Sequence, residues 1–311
     1  MRTFALLCCA LSIGATTTAP VVSEALATQI ALDRAGFSPG EIDGRAGQNL
    51  QRALAAFQKA HQLSETGQLD DDTWKQLTIA DGSDAPLVSY SITDADVAGP
   101  FTSGIPPKLP EQAALDALNY QSPLEELGER FHCNPALLKT LNPGATFDKA
   151  GEQVMVPNVT PYAPLAPVAP VAPTQSITVY VTKSTSSLTI EDANGHVVFH
   201  APVTSGSEHD PLPIGTWKVN GVQRHPKFHY NPDLFWDASP ADRKVTIQPG
   251  PNNPVGVVWI DLSKPHYGIH GTPEPSKIGH VESHGCVRLT NWDAARVANS
   301  VRPGTRVVFR E

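Results

Sequence analysis

The chain has 311 residues, a net charge of −8 and four cysteines, with 17% of its residues charged. That length allows two or three domains, and an acidic balance of this kind lacks the basic footprint of a nucleic-acid binder. The charge is uneven: from Ser176 onward 13 Lys and Arg face 12 Asp and Glu, whereas residues 28–175 carry 9 against 18.

Residues 1–27 read as a secretory signal peptide. Arg2 is a positive n-region, Phe4 to Gly14 an apolar core, and Ala25-Leu26-Ala27 fits a small-residue cleavage site. The apolar run is too short to span a bilayer, and no membrane span is expected in the mature chain. The expected destination is across the inner membrane, in the periplasm or cell wall. The cleavage point stays open, because Ser23 to Ala35 also reads as a helix. Cys8 and Cys9 leave with the signal, so the mature chain keeps Cys133 and Cys286. Two cysteines can pair in an oxidising compartment, so any thiol chemistry requires Cys286 to be free.

Residues 28–78 form a small three-helix domain. Ala25, Ile30, Leu32 and Ala35 have helical spacing, and Gly36 to Gly44 is a turn. Leu50, Leu54, Phe57 and Ala60 share one face of a second helix. Asp71-Asp72-Thr73-Trp74 opens a third with acidic residues in its first turn. Gly36-Phe37, Ile42-Asp43-Gly44, the Leu54 to His61 helix, Gly67 and Thr73-Trp74 give this module its resemblance to the peptidoglycan-binding domain attached to cell-wall enzymes. Arg45 to Asn49 departs from that family's aromatic and Gly-Pro.

Residues 79–110 read as a linker in which Tyr90-Ser91-Ile92 is an isolated extended piece. Residues 111–157 form a small α+β module: Pro123 and Asn134-Pro135 start two helices, and Val154 to Pro157 is a strand. Leu124-Glu125-Glu126-Leu127, Leu141-Asn142-Pro143 and Val156-Pro157 are similar to a LysM repeat, a glycan-binding βααβ unit. Residues 158–175, with repeated Ala-Pro, form an extended and stiff linker.

From Ser176 to Glu311 the pattern becomes β. Ile177 to Val181, Leu188 to Ile190, Val197 to Phe199, Thr216 to Val219, Lys244 to Ile247, Val257 to Ile260 and Thr305 to Phe309 read as strands, with Asn194-Gly195 as a hairpin turn. Only Trp292 to Ser300 is clearly helical. Many short strands between Pro and Gly turns indicate a sandwich or barrel.

The chemistry concentrates between His270 and Leu289. Only a thiolate attacks, and a free thiol is mostly protonated at neutral pH, so Cys286 needs a base. An imidazole can supply it. His270, at the end of a strand-like run, and His284, two residues before the thiol, are both candidates on sequence. No standard zinc spacing is present, so no metal is expected. Gly285 lets a substrate approach the backbone.

His270-Gly271-Thr272, then Ile278-Gly279, then Ser283-His284-Gly285-Cys286-Val287-Arg288 resemble the motif of the L,D-transpeptidase family, whose catalytic domain is called the YkuD domain. The resemblance covers residues 176–311. It implies a mostly-β domain with the thiol at the end of a groove, and an aromatic flap, Phe228 to Trp236, over it. It implies peptidoglycan as partner: a stem tetrapeptide as donor and an amine as acceptor. Cys286 is then the nucleophile, His270 the proton acceptor and donor, and Gly271 the carbonyl that orients His270. Ser283, His284 and Gly285 supply oxyanion donors and support, and Arg288, Tyr267 and Thr272 contact substrate. No cofactor is needed, and carbapenem β-lactams are expected inhibitors. Water in place of the amine would give an L,D-carboxypeptidase, and an inert third domain would give a non-catalytic wall-binding protein.

Overall fold

The computed structural model describes residues 22–81, 85–163, 176–281, 283 and 285–311. Most of the expected signal peptide and most of the Ala-Pro linker lie outside the described residues. The first three elements are helices, α1 (Glu24–Arg34), α2 (Gln48–Ala60) and α3 (Asp71–Asp81). Ser23 caps α1, its hydroxyl accepting from the Leu26 amide at 3.1 Å, which satisfies one of the orphan donors at a helix start. Leu26 is buried in the core. A signal boundary after Ala27 would cut α1 and remove that side chain, so the structured module begins before residue 28.

The middle module contains β1 (Leu87–Ser91), α4 (Asp94–Ala98), α5 (Leu109–Gln112), α6 (Pro123–Arg130), α7 (Pro135–Leu141) and β2 (Gln153–Pro157). β1 pairs antiparallel with β2, Leu87 opposite Pro157 and Ser91 opposite Gln153. The stretch 79–110 is therefore not a plain linker. Tyr90 and Ser91 belong to the strand that opens the module, and Ile92 follows it, long before the expected start at residue 111. Local sequence hid this because the partner strand is distant, and a strand is recognised largely by what it packs against.

The C-terminal domain contains β3 (Thr178–Thr182), β4 (Ser187–Glu191), β5 (Val197–Pro202), β6 (Thr204–Ser205), β7 (Gly215–Arg224), β8 (Phe228–Tyr230), β9 (Val245–Ile247), β10 (Val258–Leu262), β11 (Gly268–His270), β12 (Val287–Arg288), α8 (Asn291–Ser300) and β13 (Arg306–Arg310). Nine strands run in the order β5-β4-β3-β13-β7-β10-β11-β12-β6. β5 and β6 lie at opposite ends of that order, yet only Val203 separates them in sequence. The sheet must curl until its two ends meet, which makes the domain barrel-like. β7 joins the halves, pairing with β13 through Gly215 to Lys218 and with β10 through Val219 to Arg224. Val181, Leu188, Val219, Ile260, Ile269, Val287 and Phe309 fill the interior. β8 and β9 form a separate hairpin.

The three parts share cores. Leu26 and Ile30 of α1 pack with Ile42, Leu127, Phe131 and Leu138, while Leu32, Phe37, Leu54 and Phe57 form a core that Val197 of the sheet joins. Phe37 bridges to His200, and Ile42 to Cys133. At the junction, the buried His132 ring stacks on Trp292 of α8 at 5.3 Å and 7°, and its Nδ1 lies 3.1 Å from Asp33. Burial alone would raise the Asp33 pKa, but His132 and Arg296 hold it below the usual carboxylate value.

Because the parts share side chains, denaturant unfolding should show one cooperative transition. Trp292→Ala should lower its stability by about 3–5 kcal/mol, read from the guanidinium midpoint. Separate transitions for helical and β regions would contradict the shared-core packing.

Candidate active site

The site is built on a parallel pair. β11 and β12 run side by side, Ile269 opposite Val287 and His270 opposite Arg288. Cys286, one step before Val287, is thereby level with Gly268, whose backbone amide acts to lower the thiol pKa. Gly268 and His270 are two apart on one strand, so their side-chain directions share a face. The Cys286 thiol also donates to the His266 carbonyl at 3.8 Å. Cys286 and Cys133 are both free, and Cys133 is buried in the core between α1 and the middle module.

His270 is 3% exposed. Its Nδ1 lies 2.6 Å from the Gly271 carbonyl. A carbonyl only accepts, so Nδ1 carries the proton and Nε2 keeps the lone pair. Burial, and then the charge of Arg288, push the imidazole pKa down to about 3, against the Gly271 bond that raises it. Burial raises the Cys286 pKa, opposed by the Gly268 amide and Arg288. The resting pair at neutral pH is thus a neutral thiol and a neutral imidazole.

Trp259 of β10 stands opposite His270 in the ladder. Its ring stacks on the imidazole at 5.5 Å and 21°, and a Cβ on Gly268 would lie 2.5 Å from that ring. In the sequence Trp259 stands out only as a strand residue. Its register opposite His270 is a tertiary fact with no local signal.

The loop from Gly271 to Cys286 is pinned at several points. Ser283 is buried; its hydroxyl donates to the Cys286 carbonyl at 2.7 Å and accepts from the Gly206 amide at 2.8 Å. Ser283 therefore holds the thiol-bearing turn against the segment after β6. Gly285 adopts φ +98°, and a Cβ there would lie 2.8 Å from the Tyr267 ring, so only glycine fits between Tyr267 and the thiol. Thr272 is buried, its hydroxyl accepting from the Glu274 amide at 3.2 Å. This bond shapes the loop from inside. His284 lies outside the described residues. From α2, Asn49 donates to the Ile278 carbonyl at 2.8 Å and Arg52 to the Gly279 carbonyl at 3.2 Å, so the helical domain grips the same loop.

Arg288 is half-buried and its Nε has no hydrogen-bond partner among the described residues. Burial lowers its pKa, while Cys286, Glu274 and Asp237 favour its charge. Asp237 belongs to the loop between β8 and β9. The exposed Trp236 beside it stacks on His209 at 4.3 Å, so this hairpin arm reaches the segment that Ser283 clamps. Among the described residues, no group of three or more His, Cys, Asp or Glu side chains is placed to hold a metal ion. No helix among them is long and apolar enough to cross a membrane.

With this geometry in place, the family comparisons are specific. The model of the L,D-transpeptidase catalytic domain, YkuD, matches residues 176–309. Residues 176–309 form a YkuD domain. A putative peptidoglycan-binding domain model matches residues 23–77, the span of α1 to α3. The YkuD domain is similar to the putative L,D-transpeptidase YkuD of Bacillus licheniformis, with 52% identity over 63 residues, 20% of this chain and 38% of that protein. It is also similar to the probable L,D-transpeptidase YbiS of Escherichia coli, with 42% identity over 65 residues, 21% of each chain. The matches to the first two curated relatives span only 38% and 40% of their length. Among solved structures, L,D-transpeptidase 3 of Mycobacterium tuberculosis with a faropenem-derived adduct aligns at TM-score 0.37 and 17% identity, covering 44% of this chain and 61% of that one. The L,D-transpeptidase of Xylanimonas cellulosilytica aligns at TM-score 0.40 and 16% identity, covering 92% of both.

The neutral resting pair of the YkuD domain has a measurable consequence. Iodoacetamide alkylation of Cys286 should keep rising with pH beyond 9, because its thiol pKa is raised from that ordinary value. A rate already level between pH 6 and 8 would mean a pre-formed thiolate–imidazolium pair and would contradict this site. In parallel, Gly285→Ala should slow alkylation at pH 8 by about tenfold or more, since the displaced turn carries the sulfur.

Proposed function

We propose that the chain is a peptidoglycan L,D-transpeptidase that works through a thioester on Cys286. The observation that carries this reading is the His270 Nδ1–Gly271 carbonyl bond, which leaves Nε2 as the free base on the strand beside the thiol. Because the resting thiol is protonated, deprotonation and attack proceed together: Nε2 takes the thiol proton as sulfur bonds to the donor carbonyl carbon. The carbon–nitrogen bond to the terminal D-Ala then breaks, and Nε2 returns the proton to the leaving amine. In the second half, an acceptor amine attacks the thioester, gives a proton to Nε2, and releases the sulfur, which is reprotonated. Amides of the Gly285–Cys286 turn would stabilise the oxyanion, and Arg288 would receive a substrate carboxylate through its planar fork.

The other two modules fit a polymeric substrate. A cleft of about 590 Å³ is lined by Gln29, Asp43 and Arg45 of the helical domain, Leu137 of α7, and Ser276 and His280 of the loop that leads to the thiol. A wall strand resting there would lie against the same loop that carries Cys286. The peptidoglycan-binding match at 23–77 supports this reading. The substrate lies outside the inner membrane, so the proposal includes export directed by the segment around Arg2 and Phe4 to Gly14.

Incubated with disaccharide tetrapeptide, the mature protein should yield a cross-linked dimer one D-Ala lighter than two monomers, read by mass spectrometry. Cys286→Ala should yield none. Tripeptide without dimer would replace the transferase reading by a hydrolase, and a dimer from Cys286→Ala would refute the thiol mechanism. A carbapenem should add its full mass to the wild type and nothing to Cys286→Ala.

A further inference from the structure

Beneath the imidazole lies a buried polar chain that crosses from the YkuD domain into the middle module. Asn291, the first residue of α8, is fully buried. Its Oδ1 accepts from the Val257 amide at 3.3 Å. A Cβ added to Gly271 would lie 2.2 Å from that oxygen, and one added to Gly256 would lie 2.1 Å from it. The Asn291 side chain is therefore in close contact with the backbone of Gly271, the residue whose carbonyl holds His270 Nδ1. Its Nδ2 donates to both carboxyl oxygens of Glu129 on α6, at 2.8 and 3.1 Å, and to the Pro251 carbonyl at 3.1 Å. The Tyr120 hydroxyl, also from the middle module, donates to Glu129 Oε2 at 3.1 Å.

A buried carboxyl far from water is costly unless it is neutral or fully hydrogen-bonded. Burial raises the Glu129 pKa to about 8, against the Asn291 and Tyr120 bonds that lower it. Placed against the α8 start, such a group needs a reason to be there. The reason available in this geometry is the fixed position of Asn291. Neighbouring contacts seal the junction: the Asn252 amide group donates to the Asn119 carbonyl at 2.8 Å and to Glu125 at 2.9 Å, and the Leu118 amide donates to the Pro249 carbonyl at 3.0 Å.

We propose that Glu129 of the middle module is a positioning residue of the thiol site: it holds Asn291 against Gly271 and so fixes the carbonyl that orients His270. The middle module is then part of the catalytic support and not only a tethered binding unit. This inference rests on the proposed use of His270 as the base, and one readout below is independent of turnover.

Four full-length variants test it with the disaccharide tetrapeptide. Glu129→Leu keeps the volume but cannot accept from Asn291, and should lower kcat about tenfold or more with KM changed less than about threefold, because small misplacements of a catalytic base act on kcat. Glu129→Gln still accepts and should stay within about threefold of wild type. Asn291→Ala should match Glu129→Leu, and the double variant Glu129→Leu/Asn291→Ala should be no slower than the slower single, since both break one chain. Nitrogen-15 histidine NMR, with His270 assigned by its loss in His270→Gln, should show a fixed Nδ1–H tautomer in wild type and Glu129→Gln, and a tautomer mixture in Glu129→Leu. Wild-type kcat in folded Glu129→Leu, failure of Gln to restore it, or multiplicative losses in the double variant would each overturn the proposal. An inactive wild type would instead refute the transpeptidase reading, and the NMR spectra would still decide the positioning role. Should Glu129→Leu not fold, Asn291→Ala and Tyr120→Phe carry the same comparison.

Discussion

The single bond from His270 Nδ1 to the Gly271 carbonyl sets the chemical state of this site. It fixes one tautomer of a buried ring, and the parallel pairing of β11 with β12 brings the thiol to that ring's strand. Burial then removes charge from both partners. A thiol whose pKa is raised and an imidazole whose pKa is lowered to about 3 cannot rest as an ion pair. The proposed mechanism therefore moves the proton together with attack. Trp259 stacks on the ring and leaves no room for a side chain at Gly268.

Around this centre, the architecture concentrates its fixed contacts on one loop. Ser283 ties the loop to the segment after β6, Asn49 and Arg52 tie it to α2, and Gly285 turns it against Tyr267. α8 performs the same service from below: Asn291, Trp292 and Asp293 at its start face the middle module, His132 and Ser38 respectively. Modules that sequence would separate by linkers are joined through buried polar groups, where a lost partner leaves a desolvated group unpaired.

Much of the site was legible because its chemistry is local. His270-Gly271-Thr272 and Ser283 to Arg288 are short runs whose residue types have few other uses together, and the β character after Ser176 follows from alternation. What sequence could not convey was pairing across distance. Leu87 to Ser91 looked like connector because its partner lies beyond four helices, and Leu26 looked like the edge of a signal peptide because its burial depends on α7 and Ile42. Trp259, Asn291 and Glu129 gained their places only through register and docking. Glu129 sits in an ordinary acidic helix run, Glu125-Glu126-Leu127-Gly128-Glu129, and nothing in that run distinguishes the buried carboxyl from its solvated neighbours.

The central claim is that Cys286 carries the acyl group. The most direct measurement is the intact mass of the protein quenched in acid within seconds of mixing with disaccharide tetrapeptide, followed by peptide mapping. The account requires a mass increase equal to the donor minus one D-Ala, located on the peptide containing Cys286 and absent in Cys286→Ala. Turnover with no such adduct on Cys286, or with the adduct on another side chain, would contradict it.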